Sequence, residues 1–175
     1  MDRSAVEEAV SGLAEAIHGA EPAGDDLLVV GIRRRGVELA RRVAAAVEEL
    51  SGGDVATGSL DITLYRDDFA QIGPRPVIGP TEIPGEVDGR RVVIVDDVLY
   101  TGRTVRAAMD ELADFGRPRR IELCVLVDRG GRELPIQPDY VGRRVEVEPG
   151  WEVAVSVPAH DGELAVRLVP LGEGA

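Results

Sequence analysis

Residues Val92 to Thr104, VVIVDDVLYTGRT, constrain the fold more than any other stretch of this chain. Four apolar β-branched residues, Val92 to Val95, run directly into two acids, Asp96 and Asp97. The apolar link Val98 to Tyr100 then leads to Thr101-Gly102-Arg103-Thr104. Beyond it, Val105, Ala108, Met109, Leu112 and Phe115 recur near helical spacing. Gly116 and Pro118 are expected to stop that helix, the first as a C-terminal cap and the second as a residue that cannot continue it. The stretch reads as strand, acidic edge, polar turn and helix.

That order has chemical meaning. In an open α/β sheet, ligands bind outside the carboxyl ends of the strands, where loops hand over to helices. Unpaired amides and the positive end of a helix dipole make such a turn an anion site. Gly102 lets the backbone approach a phosphate closely, and Thr101, Arg103 and Thr104 bring polar side chains to the same turn. The carboxylates of Asp96 and Asp97 suit vicinal hydroxyls and attract Mg²⁺. A sugar phosphate matches both halves.

The remaining chain reads as a series of strand and helix units. Residues 4–17 form an amphipathic helix with Val6, Val10, Leu13 and Ile17 on one stripe, and Ser4 with Glu7 resembles a capping box. Leu27 to Ile32 is near-continuously apolar, as buried parallel strands are. It ends in Arg33-Arg34-Arg35-Gly36, a second strand-to-helix turn whose guanidinium groups suit bidentate oxyanion recognition. Val37 to Leu50 is helical and closes on Gly52-Gly53; Val55 to Tyr65 alternates in part and is expected to be a strand. Residues 66–89, with Pro74, Pro76, Pro80 and Pro84, form a long irregular segment, and such loops are commonly functional. Ile121 to Val127 is the next strand. Trp151 to Val157 and Glu163 to Val169 alternate around Ala159-His160-Asp161-Gly162, which predicts a β-hairpin with Asp-Gly as its turn.

Composition narrows the function. The chain has 175 residues, enough for one domain with a real core, and no apolar run of membrane-spanning length. The start, MDRSAVEEAV, shows no basic segment followed by an apolar core, so no signal peptide is expected. A single cysteine, Cys124, fits a reduced, cytoplasmic compartment and a buried, inert thiol. The net charge of -12, with every one of the 20 basic residues an arginine, argues against a general nucleic-acid binder. Any RNA site would be a local arginine patch on an acidic body. With only His18 and His160, no histidine–cysteine metal site forms.

Three longer motifs carry a family resemblance: DITLYRDD at 61–68, VDDVLYTGRTVRAAMD at 95–110, and VLVDRG with RELPI across 125–136. Together they resemble the PyrR family of type I phosphoribosyltransferases, pyrimidine-operon attenuators with uracil phosphoribosyltransferase activity, over about Ala5 to Val145. The resemblance implies one domain across 1–175, with a mostly parallel central sheet flanked by helices, a small hood and a C-terminal hairpin. It implies formation of UMP and pyrophosphate from uracil and PRPP, with Mg²⁺ carried in on PRPP and held indirectly at Asp96 and Asp97. Arg34, Arg35 and Gly36 would bind pyrophosphate, and Thr101 to Thr104 the 5′-phosphate. Tyr65 and Arg66 would begin a flexible loop spanning 66–89. Asp128, Arg129 and Tyr140, within hood elements at 128–150, would receive the base, with Tyr140 stacking on it. Arg132, Arg143 and Arg144 are the candidate RNA contacts. A homo-oligomer is expected.

The chain also departs from that family pattern. Glu7-Glu8 stand where relatives begin their first helix with an arginine pair, and Gly12 and Glu15 where Arg and His are usual. Gly131 replaces a usual His, and Gln137 a usual Arg. Since phosphate neutralisation supplies much of RNA affinity, these exchanges imply weakened attenuation. Two other readings stay open from sequence: a regulator without catalysis that senses UMP, and a transferase for another base such as orotate or a purine.

Overall fold

The apolar runs predicted as buried strands form the middle of one sheet. The computed structural model describes residues 1–67 and 79–172. Its elements are α1 (Arg3–Ala20), β1 (Leu27–Ile32), α2 (Arg35–Ser51), β2 (Ala56–Leu60), a 3-10 turn (Ile62–Tyr65), β3 (Arg91–Leu99) and α3 (Arg103–Ala113). There follow β4 (Arg120–Asp128), β5 (Tyr140–Arg144), β6 (Trp151–Ser156), α4 (Pro158–Asp161) and β7 (Ala165–Pro170). Five strands pair in the order β2-β1-β3-β4-β5, all parallel, while β6 and β7 make a separate antiparallel hairpin.

Both faces of the sheet are covered, which is why β1, β3 and β4 lack polar alternation. Leu27, Val29, Val93, Val95, Cys124 and Leu126 face α1, α2 and the hairpin residues Val155, Val157 and Leu164. Leu28, Val30, Ile32, Val92, Ile94, Leu123 and Val125 face α3, whose Val105, Ala108 and Leu112 are buried. The period-2 alternation of strand side chains thus feeds two cores at once. No helix among the described residues is long and apolar enough to cross a membrane.

The polar exception in the first core is structural. Arg91, 1% exposed, donates from Nε to Glu122 at 2.6 Å and from Nη2 to the Ile17 carbonyl and the Tyr140 hydroxyl, both at 3.0 Å. Its Nη1 reaches the Glu21 carbonyl at 2.6 Å, so one guanidinium binds two carbonyls at the end of α1. Tyr140 in turn donates to Glu122 at 2.9 Å.

Several boundaries differ from expectation for local reasons. Asp2, not Ser4, caps α1 by accepting from the Ala5 amide at 3.0 Å. The predicted strand 55–65 ends at Leu60, because Asp61 accepts from the Thr63 amide and starts a 3-10 turn. Helix α3 ends at Ala113, with Asp114 rather than Gly116 at its C-cap and Phe115 exposed. The expected two-residue hairpin turn is instead the four-residue α4, with Pro158 in its first turn and Gly162 left-handed after it. Of the 66–89 segment, 68–78 lie outside the described residues. Its flanks are held: Ser59 and Glu82 exchange backbone hydrogen bonds of 2.7 and 2.9 Å, and Tyr65 donates to Asp114.

Candidate active site

Strand β1 stands between β2 and β3, and its helix α2 leaves on one face while α3 leaves β3 on the other. The two turns therefore diverge at the switch point of the sheet, where open α/β folds make their ligand crevice. A cavity of about 650 Å³ lies there, lined by Arg33, Arg34 and Arg35 from one turn and by Asp96, Asp97 and Thr104 from the other. Asp61, Thr63, Arg66, Gly79 and His160 complete much of its wall.

The two acids have different environments, although both belong to β3 rather than following it. Asp96 is 5% exposed and accepts the Asp97 amide at 3.0 Å. Burial, and then the adjacent Asp97 charge, push the Asp96 carboxyl well above the usual carboxylate range. Asp97 is half-buried, with Oδ1 accepting the Val98 amide at 2.9 Å. Among the described residues no three His, Cys, Asp or Glu gather around a metal position. A consecutive carboxylate pair fits a small cation that keeps waters and takes further oxygens from a phosphorylated ligand.

Helix α3 begins at Gly102, φ 92°, with no side-chain cap, so its first-turn amides lack the usual acceptor. The Arg103 amide reaches Thr101 Oγ1 at 3.3 Å. The carbonyls before the helix face the other way. Leu99 O accepts from the Arg129 amide at 3.1 Å, Thr101 O from the amides of Glu133 and Leu134, and Tyr100 O from Arg132 Nη1 at 2.9 Å. Donors and acceptors of the turn are thus separated, with the acceptors satisfied by the 129–136 segment behind it. The Arg103 guanidinium is engaged by Glu133 and Asp67, so this residue presents its backbone rather than its charge to the turn.

The arginine turn is built similarly. Arg34 is the N-cap of α2 and forms no side-chain cap bond. Arg33 Nη2 donates to Ser59 Oγ at 3.3 Å, and the Arg33–Arg34 peptide is cis. Arg35 donates from Nε and Nη2 to both oxygens of Asp161, at 3.3 and 3.1 Å. Gly36 abuts β3; a methyl there would sit 2.7 Å from the Val95 carbonyl.

The candidate base-binding residues behave differently. Tyr140, expected to stack on a base, is 7% exposed, with its ring in the core beside α1 and its hydroxyl on Glu122. Residues 140–144, expected in a hood, form an edge strand of the main sheet. The Asp128 carboxylate is held by the Gly130 amide at 3.0 Å and by Arg132 at 2.6 Å. Arg129 stacks over the exposed Tyr100 ring at 4.1 Å. None of Asp128, Arg129 and Tyr140 lines the switch-point cavity. His160, expected only in a turn, lines it from the hairpin tip, and the adjacent Asp161 binds Arg35. The available signal was Pro158, a favoured residue in the first turn of a helix.

The three candidate RNA contacts also divide. Arg132 is 14% exposed and spends its guanidinium on Asp128 and on the carbonyls of Tyr100, Gly130 and Ile136. Arg143 and Arg144 are exposed on β5. The same side of α1 exposes Glu8, Gly12 and Glu15 near Arg143.

The family model for a phosphoribosyl transferase domain matches residues 2–163. A protein of Roseiflexus sp. strain RS-1, named bifunctional protein PyrR, is 51% identical over 93% of this chain and 88% of its own. One of the same name from Pelotomaculum thermopropionicum is 46% identical over 99% of this chain and 96% of its own. The chain belongs to the PyrR family of phosphoribosyltransferases. A similar PyrR protein from Thermus aquaticus is 49% identical over 96% of this chain and 93% of its own. In fold, the chain is similar to a hypoxanthine phosphoribosyltransferase of Trypanosoma cruzi, with a TM-score of 0.70 at 15% identity, covering 98% and 94% of the two chains. This identifies the architecture as the type I phosphoribosyltransferase fold, parallel sheet and C-terminal hairpin included.

Proposed function

We propose that this PyrR-family member transfers a 5-phosphoribosyl group from PRPP to N1 of uracil, giving UMP and pyrophosphate. The observation that carries the reading is the switch-point cavity, where two uncapped helix starts flank an adjacent pair of acids. The amides at the start of α3 and the Thr101 and Thr104 hydroxyls bind the 5′-phosphate. Asp96 and Asp97 accept hydrogen bonds from the ribose hydroxyls. Arg35 and the amide of Gly36 bind the pyrophosphate. Mg²⁺ carried in with PRPP would be held beside Asp96 and Asp97, mostly through waters and substrate oxygens, and would neutralise charge on that leaving group.

The C1–O bond breaks with its electron pair on pyrophosphate, the N1 lone pair of uracil forms the new C1–N bond, and the N1 proton passes to solvent. Positive charge builds on the ribose as this happens, so the protein's contribution is positional and electrostatic. The Asp97 carboxylate, the more open of the pair, faces that developing charge. In this reading the hairpin tip around His160, which lines the cavity, borders the base in place of Tyr140.

The regulatory half of the reading is UMP-dependent binding to a pyrimidine leader RNA, with reduced affinity. Two observations support the reduction: Arg132 is committed within the protein, and the α1 side beside Arg143 exposes Glu8 and Glu15. Assembly into a homo-oligomer belongs to the same reading.

The deciding experiment is UMP formation from PRPP, Mg²⁺ and uracil, with orotate, hypoxanthine and adenine in parallel. Turnover with uracil alone supports the assignment. Turnover with another base reassigns the acceptor, and no turnover with intact UMP binding points to a sensor. Filter binding to an operon leader tests the RNA half; tight, UMP-dependent retention would contradict the weakened affinity.

A further inference from the structure

We infer that Asp161 is a positioning residue that orients Arg35 for the departing pyrophosphate, an inference resting on the phosphoribosyl-transfer reading. The two residues come from distant parts of the chain, and their contact joins the hairpin tip to the turn after β1. Asp161 grips the Nε–Nη2 edge of the guanidinium with both oxygens. Among the described residues, Nη1 makes no hydrogen bond, and Arg35 lines the cavity. A guanidinium held by one edge keeps its remaining donors in a fixed plane, which suits a phosphate oxygen better than a point charge does.

The carboxylate is itself fixed. Its Oδ2 accepts the Val157 amide at 2.8 Å, and the amides of His160 and Asp161 donate to the Val157 carbonyl at 3.1 and 2.8 Å. Val155, Val157 and Leu164 root the hairpin in the core beneath α1 and α2. Asp97 adds a second attraction on Arg35 from the acid pair. The long arginine side chain therefore surrenders its rotamer freedom before the substrate arrives, the condition under which a charge stabilises a transition state without reorganising. The same contact ties the segment bordering the base to the one holding the leaving group.

The test compares Asp161→Asn, Asp161→Glu, Arg35→Lys and the double variant Arg35→Lys/Asp161→Asn in steady-state UMP formation and in calorimetric titration with Mg²⁺ and inorganic pyrophosphate. Arg167→Gln, which breaks the exposed Glu163–Arg167 pair from its β7 side, is the control and should leave kinetics unchanged. Asp161→Asn should lower kcat about tenfold or more with the KM for uracil within twofold, and should weaken pyrophosphate binding. Asp161→Glu should recover part of the loss, and the double variant should be no slower than Arg35→Lys alone, the non-additivity of residues acting as a unit. Wild-type kcat in Asp161→Asn, additive losses in the double variant, or tighter pyrophosphate binding on removal of the acid would each overturn the inference. Failure of the underlying reading is distinct: there the wild-type protein itself shows no turnover with any base.

Discussion

Gly31 lies directly beneath Gly36: a methyl group on Gly31 would sit 2.4 Å from the Gly36 carbonyl oxygen and 2.5 Å from the Val37 Cα. The contact is between backbones, so no side chain can turn aside to relieve it. The last turn of β1 and the first of α2 are thereby packed main chain on main chain. Gly31→Ala should push the arginine turn away from β3, costing about 1–3 kcal/mol in a urea melt. Turnover should fall by roughly 100-fold, since displacement by about 1 Å is enough to disrupt a positioned site. Wild-type turnover in a folded Gly31→Ala protein would show that the turn is not the pyrophosphate site.

Asp96→Asn and Asp97→Asn should retain the fold and lose PRPP-dependent turnover. The expected loss is on the order of 100- to 1,000-fold for each, the range seen when one preorganised electrostatic contact is removed. Circular dichroism checks the fold and the uracil assay the activity. A double Asn variant that still makes UMP would put the ribose elsewhere.

Tyr140→Phe separates a core hydroxyl from a base-stacking ring. The ring is retained, and the hydrogen bonds to Glu122 and Arg91 are lost, so stability should drop by about 1–2 kcal/mol with the KM for uracil unchanged. Glu122→Ala strands the buried Arg91 charge and should cost about 3–5 kcal/mol. A raised KM for uracil in Tyr140→Phe, with stability intact, would reverse the placement.

Arg132→Ala should behave as a phosphate-site variant although it touches no ligand. Its removal frees the Tyr100 carbonyl and the Asp128 carboxylate, loosening the support behind the 101–104 turn. The KM for PRPP should rise at least several-fold. Leader-RNA affinity should be unchanged by that substitution and should fall, with a shallower salt slope, in Arg143→Ala/Arg144→Ala.

Burial pushes the Cys124 thiol up to about 12. The native protein should therefore not react with a thiol reagent at pH 8 and should react only on unfolding. An unfolded thiol ionises near 8.5, so folding is favoured by the neutral native thiol and that contribution is intact below about pH 8.5. It declines by about 1.4 kcal/mol per pH unit as pH rises from there towards the folded value. Comparing urea midpoints of wild type and Cys124→Ala between pH 8 and 10 isolates the effect.

The parts legible in sequence were those whose chemistry is local. Val92 to Val95 announced a buried strand because both its faces are covered, and Gly102 announced a turn because only glycine sits easily at a φ of 92°. Arg34, Arg35, Asp96, Asp97 and Thr104 come to one cavity because the crossover topology delivers successive strand ends there. Tyr140 was misplaced because an aromatic after a loop carries no mark of its partner; Glu122 and Arg91 lie 18 and 49 residues away. Arg132 looked like a surface cation for the same reason, its acceptors being mostly main-chain carbonyls. Asp161 passed as a turn residue because its meaning depends on Arg35, 126 residues earlier.

Both helices that open onto the cavity start at an N-cap residue that makes no side-chain cap bond, α2 at Arg34 and α3 at Gly102. At α1, by contrast, Asp2 supplies one. On the phosphoribosyl-transfer proposal, a sugar carrying phosphate at two positions would finish the secondary structure that the polypeptide leaves incomplete, standing in for two missing residues. Occupancy of the pocket and hydrogen-exchange protection of those helix ends would then be one and the same event.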